Sequence, residues 1–333
     1  MLHVAEGLAE RLATGLRARG LDLVELAGRM TLAPSGPIRA GVSGGPDSMA
    51  LVLLARAVGR EVVAVHVDHG LRPGSEVEGA AIARTLWPFG IPVLERRVKV
   101  AAGPNLEARA RQARLEALAG AATAHTLDDQ AETILINLLR GTGLRGLAAM
   151  EPGPRHPLLA LRRRETQAVC EAAGIEPLAD PMNGDDRFVR VRVREELLPL
   201  ANEIARRDVA PLLARTAELA RSFEDALDLL LARTPSAWED LPPVLQRRAL
   251  AGWIRARSGL RPSASHLEAV LEVARGVRVA HMLPGGLRVE RSSSGLRLHG
   301  IDGGELGCWP EAPRGGRLES RVRRGRGADG VAG

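Results

Sequence analysis

The chain has 333 residues, 45% of them hydrophobic, which exceeds one ordinary domain and suffices for a packed core. Its net charge is +6, carried by arginines with Lys99 the single lysine, so planar guanidinium forks dominate any attraction to polyanions. No apolar run approaches a membrane span, and the two cysteines, Cys170 and Cys308, exclude a disulfide framework and any Cys-x-x-Cys sulfur relay, as expected of a reduced cytoplasmic protein. With aromatic residues at 2% and tyrosine absent, stacking on aromatic platforms is scarcely available.

Residues 1–19 carry leucines at helical spacing among Glu6, Glu10, Arg11 and Arg17, which is the pattern of an amphipathic helix and not of a signal peptide. A short strand over 37–42 then enters Ser43-Gly44-Gly45-Pro46-Asp47-Ser48, and an apolar helix leaves it through Met49 and Leu54. Two glycines let backbone N–H groups crowd toward an anion, and a helix starting at Pro46 adds the positive end of its dipole. Ser43 and Ser48 add hydroxyls, and Asp47 is a carboxylate suited to a Mg2+ ion that bridges phosphates. This is a nucleotide phosphate site without the lysine of a Walker loop; the alternative is an ordinary strand-to-helix turn.

Further strands are expected over 61–67, 92–98 and 120–124, and a fifth near 158–161, with helices at 49–57, 76–87 and 106–119 between them. That alternation predicts a parallel sheet with helices on both faces and a ligand at the carboxyl ends of the strands, where Ser43, Asp68, His69 and His125 fall. His66 and Asp68 either contact nucleotide or simply finish the strand. Thr126-Leu127-Asp128-Asp129 reads as a capping box, with Ala131, Ile134, Leu135 and Leu138 as the buried stripe of the helix. Asp129 and Glu132, three apart, share a face, and so much carboxylate at one helix start exceeds what capping needs. From Arg163 the chain turns helical; 203–231 is expected as one connecting helix, and after Trp238 a small mixed unit ends in strand-like 286–291 and 295–298 around a serine turn. The last stretch, rich in Gly and Arg, reads as disordered, with Arg314, Arg317, Arg321, Arg323, Arg324 and Arg326 able to meet phosphates.

The 43–48 hexapeptide resembles the signature of the PP-loop ATPases, which cleave ATP between the α and β phosphates. Three further blocks narrow the resemblance: Val65-His66-Val67-Asp68-His69-Gly70-Leu71-Arg72, Asn105 through Arg114, and His125-Thr126-Leu127-Asp128-Asp129-Gln130-Ala131-Glu132-Thr133, closed by Arg140-Gly141-Thr142-Gly143. In this order and spacing they are similar to the tRNA(Ile)-lysidine synthases over roughly residues 37 to 200. The resemblance implies an α/β architecture: an N-terminal PP-loop domain of the adenine nucleotide α-hydrolase type (36–200, after a helix and linker at 1–35), a connecting helix (201–235), a small mixed C-terminal domain that binds substrate or tRNA (236–300) and a tail (301–333). It implies ATP bound by Ser43, Gly44, Gly45, Pro46, Asp47 and Ser48, Mg2+ on Asp47, and free L-lysine held by Asp129, Glu132 and Arg194. His125 becomes the acceptor of the amine proton, and Arg111, Arg114 and Arg190 become contacts to tRNA(Ile) with a CAU anticodon or to phosphate. The implied reaction joins lysine to C2 of the wobble cytidine and releases AMP and pyrophosphate; the alternative is another PP-loop ligase that modifies tRNA or forms amides. A homodimer is compatible with this reading and a membrane partner is not. The chain departs from the family pattern at Leu115, where an aromatic is usual, and at Met182 and Val191, where serine and asparagine are usual.

Overall fold

The computed structural model describes residues 2–68, 77–98, 109, 113, 116–178, 185–233, 240–293 and 295–309. They form two compact units, Met1–Phe223 and Glu224–Gly333.

In the first unit, β1 (Ile38–Gly41), β2 (Val62–Asp68) and β3 (Val93–Arg97) form a parallel sheet in that order. Buried on nearly every residue, β2 is the central strand, whereas Leu94, Glu95 and Arg97 of β3 are exposed or half-exposed, as an edge strand allows. On the other side of β1 the expected strand at 120–124 shrinks to a parallel bridge between Ala40 and Ala122, because Gly120 at φ +77° turns the chain just before it. The run at 158–161 is not a strand: Leu158, Leu159 and Leu161 are buried from within turns, a difference that a short apolar run cannot signal.

Helix α1 (Leu2–Arg17), α2 (Leu23–Gly28) and α3 (Pro46–Ala57) precede and follow β1. Residues 49 to 55 of α3 are all apolar and buried, so over those two turns the helix is apolar around its whole circumference, as a helix between a sheet and other helices must be. After α4 (Glu78–Leu86) and β3 come α5 (Leu127–Leu139), the short α6 (Leu144–Leu147) and α7 (Arg163–Ala173). Helix α7 packs on α1 and α3, closely enough that a Cβ at Gly15 would lie 2.7 Å from the Cβ of Ala172. Helix α8 (Asp185–Arg192) widens into a π-turn over Val193–Leu197 and continues as α9 (Leu198–Ala205). The single helix expected over 203–231 is broken: Arg206 adopts φ +52°, Asn202 Oδ1 accepts from Val209 N at 2.8 Å, and α10 (Ala210–Arg233) starts afresh.

In the second unit, α11 (Pro243–Ser258) and α12 (Ala264–Ala274) pack on an antiparallel sheet of β4 (Ala280–Leu283), β5 (Leu287–Ser292), β6 (Gly295–His299) and β7 (Glu305–Cys308). Its core gathers Leu250, Trp253, Ile254, Leu271, Val289 and Leu298, with Trp309 edge-on to Trp253 at 5.5 Å. The β5–β6 hairpin is the serine-turn pair expected from the sequence; β4 and β7 were not expected.

Candidate active site

The 43–48 loop joins β1 to α3 as a tight cradle. Gly44 sits at φ +86°, and a Cβ on it would fall 2.7 Å from Cδ1 of Leu178, whose own N–H donates to the Gly44 carbonyl at 2.9 Å. Only glycine meets both demands. Gly45 caps α3 and Pro46 takes its first turn. Ser43 N–H donates to Ser48 Oγ at 3.2 Å, and the Ser48 hydroxyl donates to the Gly45 carbonyl at 2.8 Å. Behind the loop, Cys170 Sγ donates to the Pro46 carbonyl at 3.3 Å. Burial, and then the charge of Asp47, push that thiol up to about 12, so it serves as packing and not as a nucleophile.

Asp47 leaves the first turn of α3 toward the starts of α5 and α7. Burial, reinforced by the negative charge of Asp129, lifts its carboxyl from 3.8 to about 6, against the opposing hydrogen bond from the Thr166 hydroxyl and the charges of Arg163 and Arg194. Thr166 Oγ1 donates to Asp47 Oδ1, and Arg163 Nε stands 3.8 Å from Oδ2.

Arg163 is the hub of the site. Its Nη2 donates to Asp129 Oδ1 at 2.8 Å and its Nη1 to Glu132 Oε1 at 3.1 Å. Asp129 turns its other oxygen back to the helix start, accepting from Thr126 N at 2.8 Å and Thr126 Oγ1 at 2.9 Å, so the capping box is real. Burial alone would raise Asp129, but Arg163, the Thr126 N–H and His125 outweigh it and hold the carboxyl below the usual range. Glu132 is wholly buried, and Arg194, on the π-turn, grips it through Nε at 2.7 Å and Nη2 at 3.1 Å. Arg190 Nε lies 3.8 Å from the same carboxylate, and its Nη2 donates to Thr133 Oγ1 at 3.3 Å. Alongside, Asp128 fixes the α7 start, accepting from Arg163 N at 2.7 Å and from Arg162 Nη2 at 2.8 Å. The helix therefore presents Ala131, Ile134 and Ile136 as its buried apolar residues; Leu135 is half-buried, and Leu138, expected in that stripe, is exposed.

Of the residues singled out from the sequence, Asp47, Asp129, Glu132, Arg190 and Arg194 converge here, joined by Arg163. His125 is close by, its Nδ1 4.0 Å from Asp129 Oδ2 and its ring 5.4 Å from that of His156. His156 accepts or donates with Thr123 Oγ1 at 2.8 Å, and burial followed by the charges of His125 and Arg155 lowers it to about 4. Asp68 is buried against Arg97 Nε at 2.9 Å. Arg111, Arg114, His69, Met182 and the Arg-rich tail lie outside the described residues. Sequence reading missed Arg163, Thr166 and the Arg162–Asp128 pair. The one signal for them was the Arg162-Arg163-Arg164-Glu165-Thr166 run, in which Glu165 accepts from Arg162 N at 2.6 Å as a capping residue.

A strand, an anion-binding loop and a helix start facing buried carboxylates define a PP-loop nucleotide-binding protein, and residues 25–201 match the family model described as the PP-loop domain. Residues 236–292 match the model of the TilS substrate binding domain. The chain is 39% identical over 284 residues to a tRNA(Ile)-lysidine synthase of Nocardia farcinica, spanning 78% of this chain and 87% of the relative. It is 42% identical over 310 residues to the protein of the same name in Salinispora tropica, spanning 81% and 92%. The chain belongs to the tRNA(Ile)-lysidine synthase family.

Proposed function

We propose that the chain joins free lysine to C2 of the wobble cytidine in the CAU anticodon of tRNA(Ile), using ATP. In the first step the C2 oxygen attacks the α-phosphorus of ATP; the bond to the bridging oxygen breaks and pyrophosphate leaves. In the second step the ε-amine of lysine attacks C2, the C–O bond to AMP breaks, and the amine proton is lost. The observation that carries this reading is that the anion-binding loop and the carboxylate cluster share one site, Asp47 and Asp129 both meeting Arg163, so that a phosphate and an amine can be brought together.

The N–H groups of the loop and the start of α3 suit the phosphates, where charge grows on the departing pyrophosphate. Among the described residues no group of three or more His, Cys, Asp or Glu is arranged to hold a metal ion. Asp47 nonetheless fits Mg2+, which takes one carboxylate and draws its remaining ligands from phosphates and water. When bound, that ion neutralises phosphate charge.

For lysine, the carboxylates of Asp129 and Glu132 are the seat. Both are already paired with arginines, so an incoming ammonium exchanges with Arg194, whose side chain is 40% exposed, while Arg163 at 21% stays. Arg194 is then free to meet the lysine carboxylate. The α-ammonium keeps its charge on the cluster, and the ε-amine, ordinarily protonated below about pH 10.4, gives up its proton at the reaction centre, with His125 as acceptor. Arg190, Arg111 and Arg114 supply contacts to tRNA or phosphate, and 236–300 forms the tRNA-binding domain. No helix among the described residues is long and apolar enough to cross a membrane.

The test is incubation of the purified protein with ATP, lysine and a tRNA(Ile) transcript. Lysine incorporation with stoichiometric AMP release is expected; AMP release without incorporation, or neither, refutes the proposal.

A further inference from the structure

The peptide between Val42 and Ser43 opens the phosphate loop, and two side chains grip it from opposite ends. The Val42 carbonyl accepts from His66 Nδ1 at 3.0 Å; a carbonyl has no proton to give, so the Nδ1 atom carries the hydrogen. The Ser43 N–H donates to Ser48 Oγ at 3.2 Å. A trans peptide is planar, with its C=O and N–H pointing in opposite directions, so fixing one end fixes the other. Val42 is itself tied to β2, its N–H donating to the Val65 carbonyl at 2.9 Å.

His66 is 4% exposed, and its Nε2 has no hydrogen-bond partner among the described residues. A buried nitrogen left unmet costs stability that an apolar side chain would not, so the ring is accounted for by its one bond to the loop. Packing holds the ring in place: a Cβ on Gly79, where α4 crosses the sheet, would lie 3.2 Å from His66 Cδ2.

We propose that His66 is a positioning residue for ATP, holding the Val42 carbonyl turned toward β2 so that the first N–H of the loop faces inward. Without His66 the plane is held by the longer 3.2 Å bond to Ser48 Oγ alone, and a rotation that breaks it presents a carbonyl oxygen to the phosphates, repelling the anion that an N–H would attract. The inference rests on the reading of the 43–48 loop as the ATP phosphate site.

The test compares His66→Asn, His66→Gln and His66→Leu. Asparagine carries an amide N–H near the Nδ1 position, glutamine carries it near Nε2, and leucine carries none. ATP KM from AMP release, lysine KM and the melting temperature are measured for each. Leucine and glutamine are expected to raise ATP KM roughly tenfold with lysine KM unchanged, and asparagine to recover it to within about twofold of the parent. A leucine variant with the parent's ATP KM, an asparagine variant as impaired as leucine, or a parallel rise in lysine KM overturns the proposal. Should the leucine variant fail to fold, the contrast between asparagine and glutamine decides, and equal ATP KM in those two overturns it. Calorimetric ATP binding reads the same series without turnover, so a parent protein that forms no lysidine refutes the proposed function and leaves this test standing.

Discussion

Arg194 forks onto Glu132, with Nε 2.7 Å from Oε1 and Nη2 3.1 Å from Oε2, and so ties the π-turn after α8 to the buried face of α5. A π-turn is an irregularity frequent at functional sites, and here it places the residue that closes the carboxylate cluster.

Glu132→Gln keeps the shape of that contact and removes its charge. A charge-assisted hydrogen bond is worth about 1.5–3 kcal/mol, so the lysine requirement is expected to rise tenfold or more while adenylation of tRNA persists. Arg163 and Arg194 lose the charge of the buried Glu132 and keep only Asp129 in common, so the melting temperature falls as well. Lysine titration against adenylated tRNA checks the first effect and thermal unfolding the second; equal loss of adenylation and transfer points to a nucleotide role for Glu132 instead.

Thr166 and Asp47 set a pH dependence. The Asp47 carboxyl is lifted from 3.8 to about 6, so between those values the folded chain holds a proton that the unfolded chain has lost. This group therefore makes stability fall, not rise, as pH increases from about 4 to about 6. Activity moves the other way under the proposed role of Asp47, in which the ionised form would hold Mg2+: ATP use is expected to fall off below about pH 6. Thr166→Val removes the hydrogen bond that lowers this carboxyl, so the acid limb of the AMP-release profile moves to higher pH. An unmoved limb assigns it to another group.

Asp47→Asn removes the carboxylate with little change in size. Formation of AMP and pyrophosphate is expected to vanish while the melting temperature is kept or raised, because the buried charge is gone along with its desolvation cost. Near-normal adenylation by this variant ends the metal role.

The parts of the site that were legible in the sequence are those written locally. The 43–48 loop, its flanking strand and helix, and the Thr126–Asp129 capping box each occupy a few consecutive residues, and their chemistry follows from spacing. Arg163 and Thr166 were not legible, because their partners are 34 residues away at Asp129 on α5 and 119 away at Asp47 on α3, and only tertiary packing brings the start of α7 to both. The carboxylates were read from the sequence as a seat for a substrate cation; that the chain's own arginines fill it could not be read, since charge pairing across helices leaves no periodic trace. The fold shows the same division. Alternation gave three parallel strands, while the turns that bury Leu158 and Leu161 and the break at Arg206 depend on what the chain meets in space.

Gly44→Ala tests the backbone of the loop without touching a charged group. At φ +86° an L-residue carries a strain of about 1–2 kcal/mol. The new Cβ also lies 2.7 Å from Leu178 Cδ1, 3.0 Å from its Cγ and 3.1 Å from its Cβ, so the leucine must shift. Both effects displace the peptide planes proposed to face the phosphates, and ATP KM is expected to rise more than tenfold with a loss of a few degrees in melting temperature, by roughly 4 °C per kcal/mol at most for a chain of this size. Leu178→Ala in the same chain removes most of the overlap but none of the φ strain. The double variant should therefore regain part of the ATP affinity and not all of it. Full recovery makes the overlap the whole cause, and no recovery makes it the φ; ATP KM in Gly44→Ala equal to that of the parent shows that the phosphates do not approach this peptide, and the loop then binds its anion elsewhere.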